Sequence, residues 1–313
     1  MFQDQRIFKP GSQMLMFIII WLISAIAFTG LSLLLGMIFF DHEVLTAGTQ
    51  PPFGQEQIRW LRLLQGLNQF GLLIFPVLLF GVLVAGWNGM PRQVWPGLRL
   101  KGSYLLYSIA LLLLFMPLIN LLIEWNEGIS LPAWLQGMET WMRAREAAAK
   151  GISDAFLQGS GYPDLVWSLL IVAVLPSLGE ELLFRGTLQP LFSRWTGSKH
   201  AGVWLSAILF SAIHMQFFGF VPRLLLGVIF GYALLRSGSL WLPVLLHFWN
   251  NGTIVVVTWL NARGLIHLDE AELSVFHPLW AIILGGALGL WLLFFMKETA
   301  HKPLESSSKL DIS

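Results

Sequence analysis

Hydrophobic segments of about 20 residues recur along the whole chain, and they constrain its fold more than any other feature. A transmembrane α-helix needs about 20 consecutive apolar residues. Eight segments are candidates, with approximate bounds of 14–40, 60–86, 102–123, 164–194, 201–217, 221–236, 240–260 and 278–296, and the fifth and sixth are short. The sequence therefore predicts an all-α protein, a polytopic transmembrane helical bundle of about eight spans.

The composition agrees with a membrane protein and excludes several other classes. Of the 313 residues, 56% are hydrophobic and only 12% are charged, which is too apolar for a soluble domain. The net charge of +1 provides no basic stripe that could neutralise phosphates, so we expect no nucleic-acid partner. The chain contains no cysteine, which excludes disulfides, thiolate metal sites and a cysteine nucleophile.

Lysine and arginine collect in loops that fall on one side of an eight-span arrangement. These residues are Arg6, Lys9, Arg92, Arg99, Lys101, Arg194, Lys199, Arg236, Lys297 and Lys302. Because cytoplasmic loops carry an excess of such residues, we predict a multi-pass integral membrane protein with both termini in the cytoplasm.

The third loop, 124–163, has a helical pattern of its own. Its apolar side chains recur at helical spacing, and they are Trp134, Leu135, Met138, Trp141 and Met142. Two pairs on the polar side are spaced for i, i+4 ion pairs, and they are Glu139 with Arg143 and Glu146 with Lys150. We predict an amphipathic helix on the outer membrane face, with a mobile gate or a substrate-binding lid as the alternative.

Two adjacent glutamates and an arginine interrupt the fourth apolar segment. Each charge near the centre of a membrane helix costs about 2.5 to 3.5 kcal/mol, so such groups are candidates for function. Adjacent helical residues point about 100° apart, which gives Glu180 and Glu181 different roles. Arg185 follows Glu181 at the spacing that favours an ion pair, so these two are assigned supporting roles. Glu180 would then face a cavity and act as a general base. The alternative is that the two glutamates and Arg185 form a buried ion cluster without a catalytic role.

Later apolar segments contribute three further polar side chains. Of the seven histidines, only His214 and His247 lie well inside apolar segments, and Asn251 shares a helix face with His247. The set suits peptide hydrolysis, in which Glu180, helped by His214, activates a water. His247 and Asn251 would then hold the tetrahedral oxygen through their N–H groups. Taken singly, each of the three is as well explained by a hydrogen bond between helices.

The depths of these residues restrict how they can meet. Glu180 and His214 lie near 25 Å from the turn between the fourth and fifth segments, at about 1.5 Å per residue. His247 lies only about 14 Å from the next tight turn. A common site therefore requires the fourth and fifth helices to project about 10 Å into the cytoplasm.

Three motifs on successive apolar segments resemble the CPBP family of intramembrane proteases. The motifs are Glu180-Glu181-x-x-x-Arg185, Phe210-x-x-x-His214 and His247-x-x-x-Asn251. This family includes the type II CAAX prenyl endopeptidases and bacteriocin-processing or immunity relatives. The resemblance covers about residues 164–260 and implies an eight-helix fold and a glutamate-dependent endopeptidase with Glu180 as its base. The first three spans, the long loop and the last span carry no motif of this kind.

Members of the family have also been labelled metalloproteases, and the residue types bear on that question. Glu180, His214 and His247 could ligate zinc with an open fourth position. However, the chain has no H-E-x-x-H motif, and Asn251 is a poor zinc ligand but a good oxyanion donor. We favour a mechanism without metal or other cofactor, with zinc as the alternative.

The sequence thus predicts an intramembrane endopeptidase that cleaves a peptide bond near the cytoplasmic side, in CAAX-type or bacteriocin-type processing. Its expected partners are membrane lipids and a peptide or lipidated-protein substrate. A non-catalytic scaffold or immunity protein of the same family and a proton-coupled carrier stay open as alternatives. We expect one membrane-embedded domain over 1–313, with catalytic core helices in 164–260 and a disordered tail at 302–313.

Overall fold

The computed structural model describes residues 9–46, 53–94, 100–267 and 279–295, and all regular structure within these ranges is helical. The prediction of an all-α protein is therefore confirmed. The predicted disordered tail, 302–313, lies outside the described residues. So do several of the cations on which the predicted orientation depends, namely Arg6, Arg99, Lys297 and Lys302.

Thirteen α-helices are present in the described ranges. They are α1 (Pro10–Phe39), α2 (His42–Thr46), α3 (Gln55–Gln69), α4 (Phe75–Val94), α5 (Gly102–Glu127), α6 (Gln136–Phe156), α7 (Tyr162–Ser168), α8 (Leu175–Glu181), α9 (Gln189–Thr196), α10 (Lys199–Ala212), α11 (Phe220–Ser237), α12 (Trp241–Ala262) and α13 (Leu279–Phe295). Three π-helical segments join some of them into longer helices, and they are Phe70–Ile74, Leu169–Val174 and Leu182–Leu188. Single 3₁₀ turns, Ala133–Leu135 and Phe217–Gly219, precede α6 and α11.

Five continuous helices are long and apolar enough to cross a membrane, which fits the predicted helical membrane bundle. They are Pro10–Phe39, Gln55–Trp87, Gly102–Glu127, Tyr162–Thr196 and Phe217–Ser237. The three other predicted segments form α10, α12 and α13, with 14, 22 and 17 residues. The count of eight spans and the cytoplasmic placement of the termini stay predictions.

Two buried apolar clusters hold the bundle together. The first joins α1, α4, α10 and the Leu182–Leu188 segment around Phe80, Phe184 and Phe210. The second joins α5, α11 and α12, and it includes Phe230. Because lipid tails are as apolar as these side chains, close packing stabilises such contacts more than burial from water does. The candidate site residues lie where the two clusters meet, since the His247 ring contacts both Phe210 and Phe230.

The fifth apolar segment differs from its prediction at the C-terminal end. A helix over 201–217 was expected, but α10 ends at Ala212, so His214 lies in the connection to α11 rather than inside a span. Met215 has φ of 53°, a left-handed conformation that residues other than glycine rarely adopt, and the chain turns there. The His214 Nδ1 atom is 2.7 Å from the Phe210 carbonyl oxygen, which α10 would otherwise leave without a partner at its end.

The predicted amphipathic helix of the third loop is present as α6. Arg143 and Glu139 form the expected ion pair, with 2.8 Å between Nη2 and Oε1. The ring of Trp141 packs on that of Phe217, with centroids 5.4 Å apart, so α6 contacts the 3₁₀ turn that follows His214. Whether α6 lies on the outer membrane face is not decided by these contacts, and that part stays a prediction.

Candidate active site

Glu181 and Arg185 form a fully buried ion pair at the end of α8. The Arg185 Nη1 atom lies 2.8 Å from Glu181 Oε1, and both side chains are 0% exposed. Nη2 of Arg185 donates to the Gly227 carbonyl on α11 at 3.0 Å. The guanidinium also lies over the ring of Phe210, 4.6 Å from its centroid. The ion pair that the i, i+4 spacing predicts is therefore present, and it fastens this helix to α11.

His247 on α12 is held by the same glutamate. Its Nδ1 atom is 3.0 Å from Glu181 Oε1, which thus accepts hydrogen bonds from both Arg185 and His247. An ionised carboxylate can only accept, so Nδ1 carries the hydrogen in this contact. The other ring nitrogen, Nε2, lies 3.9 Å from Glu180 Oε2. One imidazole therefore stands between the two adjacent carboxylates.

Glu180 differs from Glu181 in its exposure, because the Glu181 side chain is 0% exposed and its Oε1 atom is held by two donors. The Glu180 side chain is 14% exposed, yet Oε2 is buried and has no hydrogen-bond partner among the residues that the structure describes. The 3.9 Å separation from His247 is too long for a direct hydrogen bond and short enough for one polar atom to contact both groups. Glu180 is thus the carboxylate of the pair that can accept a proton from an incoming molecule.

His214 joins the site through Phe210. Because a backbone carbonyl only accepts, the 2.7 Å contact with Phe210 requires the hydrogen on Nδ1 and leaves Nε2 free in neutral imidazole. The Phe210 ring meets the His214 ring edge-on at 5.2 Å and the His247 ring at 6.1 Å. Phe210, at the end of α10, thus lies between the two imidazoles.

Asn251 lies one turn after His247 and makes a contact between helices. Its Nδ2 donates to the carbonyl oxygen of Val172 at 3.0 Å, and its Oδ1 accepts from Asn250 Nδ2 at 3.0 Å. Val172 belongs to the π-helical segment just before α8. Asn251 therefore fastens α12 to the helix that carries Glu180, and its carboxamide has a second N–H for another acceptor.

The helix that carries the glutamates is irregular on both sides of them. One π-helical segment, Leu169–Val174, ends just before Pro176, and another, Leu182–Leu188, contains Arg185. A proline lacks the N–H that would continue the helix ladder, and π-helical turns of this kind are frequent at functional sites. The helix is therefore irregular next to Pro176, where a π-helical segment adjoins α8.

The contact between Glu181 and His247 also fixes how far the helices are displaced along their axes. Glu181 lies roughly 22 Å from the end of α9, while His247 lies roughly 9 Å from the start of α12, at about 1.5 Å per residue. Because the two side chains touch, the turn after α9 extends more than 10 Å beyond the start of α12. This agrees with the displacement that a common site requires.

The alternative with zinc concerns Glu180, His214 and His247. Within the described ranges, no group of three or more His, Cys, Asp or Glu side chains is placed so that it could hold a metal ion. These three residues thus do not form such a group in this structure, and the absence of a metal from the mechanism stays a prediction.

Two features of the site were not predicted from the sequence. Glu181 was paired with Arg185 alone, because the partner His247 lies 66 residues away in the chain. Arg223, whose Nη2 bonds to Gln216 Oε1 at 2.6 Å close to His214, was not among the candidates. A signal for Arg223 was available, since a charged residue within a predicted apolar segment is a candidate for function.

The fold and the site define a polytopic helical membrane protein with buried ionisable groups on neighbouring helices. Residues 162–253 match the family model described as type II CAAX prenyl endopeptidase Rce1-like, and this segment contains all six candidate residues. Over this segment the chain is similar to that family, as its motifs indicated, and the similarity supports a CAAX-type intramembrane protease at the level of the family.

Two curated proteins are similar to parts of the chain. An uncharacterized 24.3 kDa protein of Escherichia coli is 29% identical over 160 residues, which cover 47% of this chain and 73% of that protein. The uncharacterized protein YpbD of Bacillus subtilis (strain 168) is 26% identical over 102 residues, which cover 31% of this chain and 47% of that protein. No solved structure matches the chain.

Proposed function

We propose that the protein is an intramembrane endopeptidase in which Glu180 is the general base. One observation carries this proposal: the Glu180 Oε2 atom is buried, lacks a partner among the described residues and lies 3.9 Å from His247 Nε2. A general base must have an oxygen free to accept a proton within reach of the substrate. Glu181 is not assigned this role, because its side chain is 0% exposed and its Oε1 atom bonds to Arg185 and His247.

The proposed reaction needs only one water and the peptide. Glu180 takes a proton from the water while the water oxygen bonds to the carbonyl carbon, and His214 Nε2 orients that water. The carbonyl oxygen becomes an oxyanion, to which His247 and Asn251 donate hydrogen bonds. Glu180 then returns the proton to the amide nitrogen as the C–N bond breaks. The products are one new carboxyl group and one new amine.

The hydrogen bonds within the site support the choice of donors in this scheme. His247 gives its Nδ1–H to Glu181, so it can donate from Nε2 only in the imidazolium form. Asn251 gives one N–H to Val172 and has a second N–H for the oxyanion. Glu181 and Arg185 act as positioning residues, since they set the ring orientation of His247 without touching the substrate.

A mechanism without metal remains our proposal, because an asparagine donor and a carboxylate-bound imidazole suit an oxyanion hole. Treatment of the purified protein with 1,10-phenanthroline should therefore leave the cleavage rate unchanged. The control adds the same concentration of 1,7-phenanthroline, which does not chelate zinc. Loss of activity with the chelator alone, restored by added zinc, would replace this mechanism with a zinc-dependent one.

We further propose that cleavage occurs near the cytoplasmic side and that the substrate is a membrane-associated peptide or lipidated protein. In the predicted orientation, the start of α12 faces the cytoplasm, and His247 lies only about 9 Å from it. Apolar side chains on the outside of the bundle, such as Ile26 at 75% exposure, would contact lipid. A substrate that is itself membrane-bound would then reach the protein within the same lipid layer.

The proposal is tested by comparing the peptides released from membranes of cells that express the wild type, Glu180→Gln or Glu56→Gln. Glu56 is an exposed glutamate paired with Arg59, so its variant controls for loss of a carboxylate elsewhere. Peptides that depend on the protein should fall by roughly 10² to 10⁴-fold with Glu180→Gln and persist with Glu56→Gln. Equal release from all three, at equal expression, would favour the scaffold or carrier instead.

A further inference from the structure

Arg223, in the first turn of α11, is a buried cation that the proposed chemistry does not use. Its Nη2 atom donates to Gln216 Oε1 at 2.6 Å. The guanidinium also packs against the backbone of Gly219, where an added Cβ would lie 3.1 Å from Nη2. Two contacts from the connection between α10 and α11 thus fix the position of this side chain.

The remaining terminal nitrogen of Arg223 has nothing to bond to. Nη1 is buried and lacks a hydrogen-bond partner among the residues that the structure describes. A guanidinium removed from water is costly unless an acceptor replaces the water. The nitrogen therefore offers a fixed donor and a positive charge to a ligand that brings its own acceptor.

Arg223 stands next to the residues assigned to catalysis. Its partner Gln216 comes two residues after His214, across the left-handed turn at Met215. The charge of Arg223 acts on both His214 and Glu180. An open cleft beside α6 reaches the same connection at Phe218.

The protein's own carboxylates do not satisfy Nη1. Glu146 on α6 and Glu180 both act on Arg223 through their charges. Yet Oε2 of Glu146 accepts from the backbone N–H of Phe218 at 3.2 Å, and Oε2 of Glu180 has no hydrogen-bond partner within the described ranges. An acceptor for Nη1 must therefore come from outside the described part of the chain.

We infer that Arg223 binds a carboxylate of the peptide substrate and thereby places the scissile bond at Glu180. A guanidinium presents parallel N–H groups that match the two oxygens of a carboxylate, and it binds them more strongly than a neutral acceptor. Among the groups of a peptide, carboxylates are found at the C-terminus and on acidic side chains. This inference rests on the proposed peptidase function and adds a specificity-determining residue to it.

The test uses matched peptides, which require no change in the protein. The probes are an S-farnesylated peptide with a free C-terminal carboxylate, the same peptide as its C-terminal amide, and an amidated peptide with one internal Asn replaced by Asp. Binding is measured by fluorescence anisotropy and cleavage by mass spectrometry. The wild type should bind one of the two carboxylate peptides about tenfold to hundredfold more tightly than the neutral amide. The preferred peptide shows whether Arg223 binds the C-terminal carboxylate or an acidic side chain.

Arg223→Gln should remove that preference, and Arg223→Lys should retain only part of it, because lysine keeps the charge without the planar pair of donors. In the cleavage assay, the loss should fall mainly on KM rather than on kcat. Arg194→Gln is the matched control, since Arg194 also bonds to a glutamine, with 3.1 Å between its Nη2 and Gln13 Oε1. Arg194 lies on α9, at the far end of the helix that carries Glu180. This control should bind all three peptides as the wild type does.

The outcomes separate this inference from the proposed function. Equal binding of all three peptides by the wild type, no binding of any, or an unchanged preference in Arg223→Gln would each overturn the role of Arg223. If the protein still cleaved the amidated peptide in a way that depends on Glu180, the proposed function would be unaffected. Conversely, a preference that depends on Arg223 without any cleavage would support the binding site and contradict the peptidase.

Discussion

Glu181 Oε1 and His247 Nδ1 meet at 3.0 Å, although the two residues are 66 positions apart in the chain. The same imidazole presents its other nitrogen to Glu180 at 3.9 Å. His247 thus contacts one glutamate directly and faces the other. Adjacent carboxylates on one helix thus differ in their surroundings, because Glu181 is fully buried and accepts from two donors while Glu180 is 14% exposed.

The first prediction concerns the buried ion pair. Arg185→Met should destabilise the protein by about 3–5 kcal/mol, because it leaves Glu181 charged and buried without its cation. The double variant Glu181→Leu with Arg185→Met should recover most of that loss, since apolar groups of similar size need no partner. Thermal unfolding in detergent measures both effects.

Activity should not follow stability in this pair of variants. The double variant lacks the carboxylate that orients His247, so its cleavage rate should stay far below that of the wild type even where it is fully folded. If the double variant regained wild-type cleavage, Glu181 would have no positioning role.

A second prediction separates two roles of Asn251. If Asn251 donates to the oxyanion, its replacement by alanine should lower kcat by about 10² to 10³-fold. If Asn251 serves only to bond to the Val172 carbonyl, the same replacement should reduce stability by about 1 kcal/mol and leave kcat of the folded fraction unchanged. Asn250→Ala, which removes the donor to Asn251 Oδ1, is the neighbouring control. Steady-state kinetics at a temperature where all variants are folded decide between the two roles.

A third prediction concerns the close approach of α10 and α11 beneath the site. A methyl group on Gly227 would lie 3.1 Å from the Cα atom of Ala207, so Gly227→Ala should separate the helices and cost about 1–3 kcal/mol. The shift would also move the carbonyl that accepts from Arg185 Nη2. Gly66→Ala on α3 is the control, because a methyl there meets nothing within 4 Å and should stabilise by about 0.5–1 kcal/mol. Equal unfolding temperatures for both variants would contradict this packing.

A fourth prediction is a pH dependence of the segment before α6. The Leu131 N–H donates to Glu139 Oε2 at 2.7 Å, and this bond, with the Arg143 side chain, lowers the pKa of Glu139 below its usual 4.5. A lowered pKa stabilises the folded contact above pH 4.5, and that stabilisation is lost as the pH falls through the folded pKa. Exchange of the Leu131 amide hydrogen, corrected for its intrinsic rate, should therefore accelerate on acidification.

Glu139→Gln provides the comparison for this experiment. Its amide oxygen does not titrate in this range, so Leu131 exchange in the variant should show no such pH dependence. Acceleration of the same size in both proteins would mean that another group governs the segment.

Local sequence patterns predicted the helices and most of the candidate residues. Apolar segments of about 20 residues and an i, i+4 pair such as Glu181 with Arg185 depend on neighbours within a few turns, so both can be predicted without a fold. The end of α10 was predicted less well. Apolar residues continue past Ala212, but the turn at Met215 depends on how the connection packs against α6 and α11.

The sequence by itself determined the class of the protein and the order of its polar motifs, because hydrophobicity and spacing are properties of short segments. Only the tertiary structure decided that Glu181 rather than Glu180 holds His247, that Asn251 bonds to Val172, and that Arg223 has a free donor near the site. Each of these facts depends on the axial displacement of one helix against another. That displacement is set by packing between residues far apart in the chain, which no local pattern encodes.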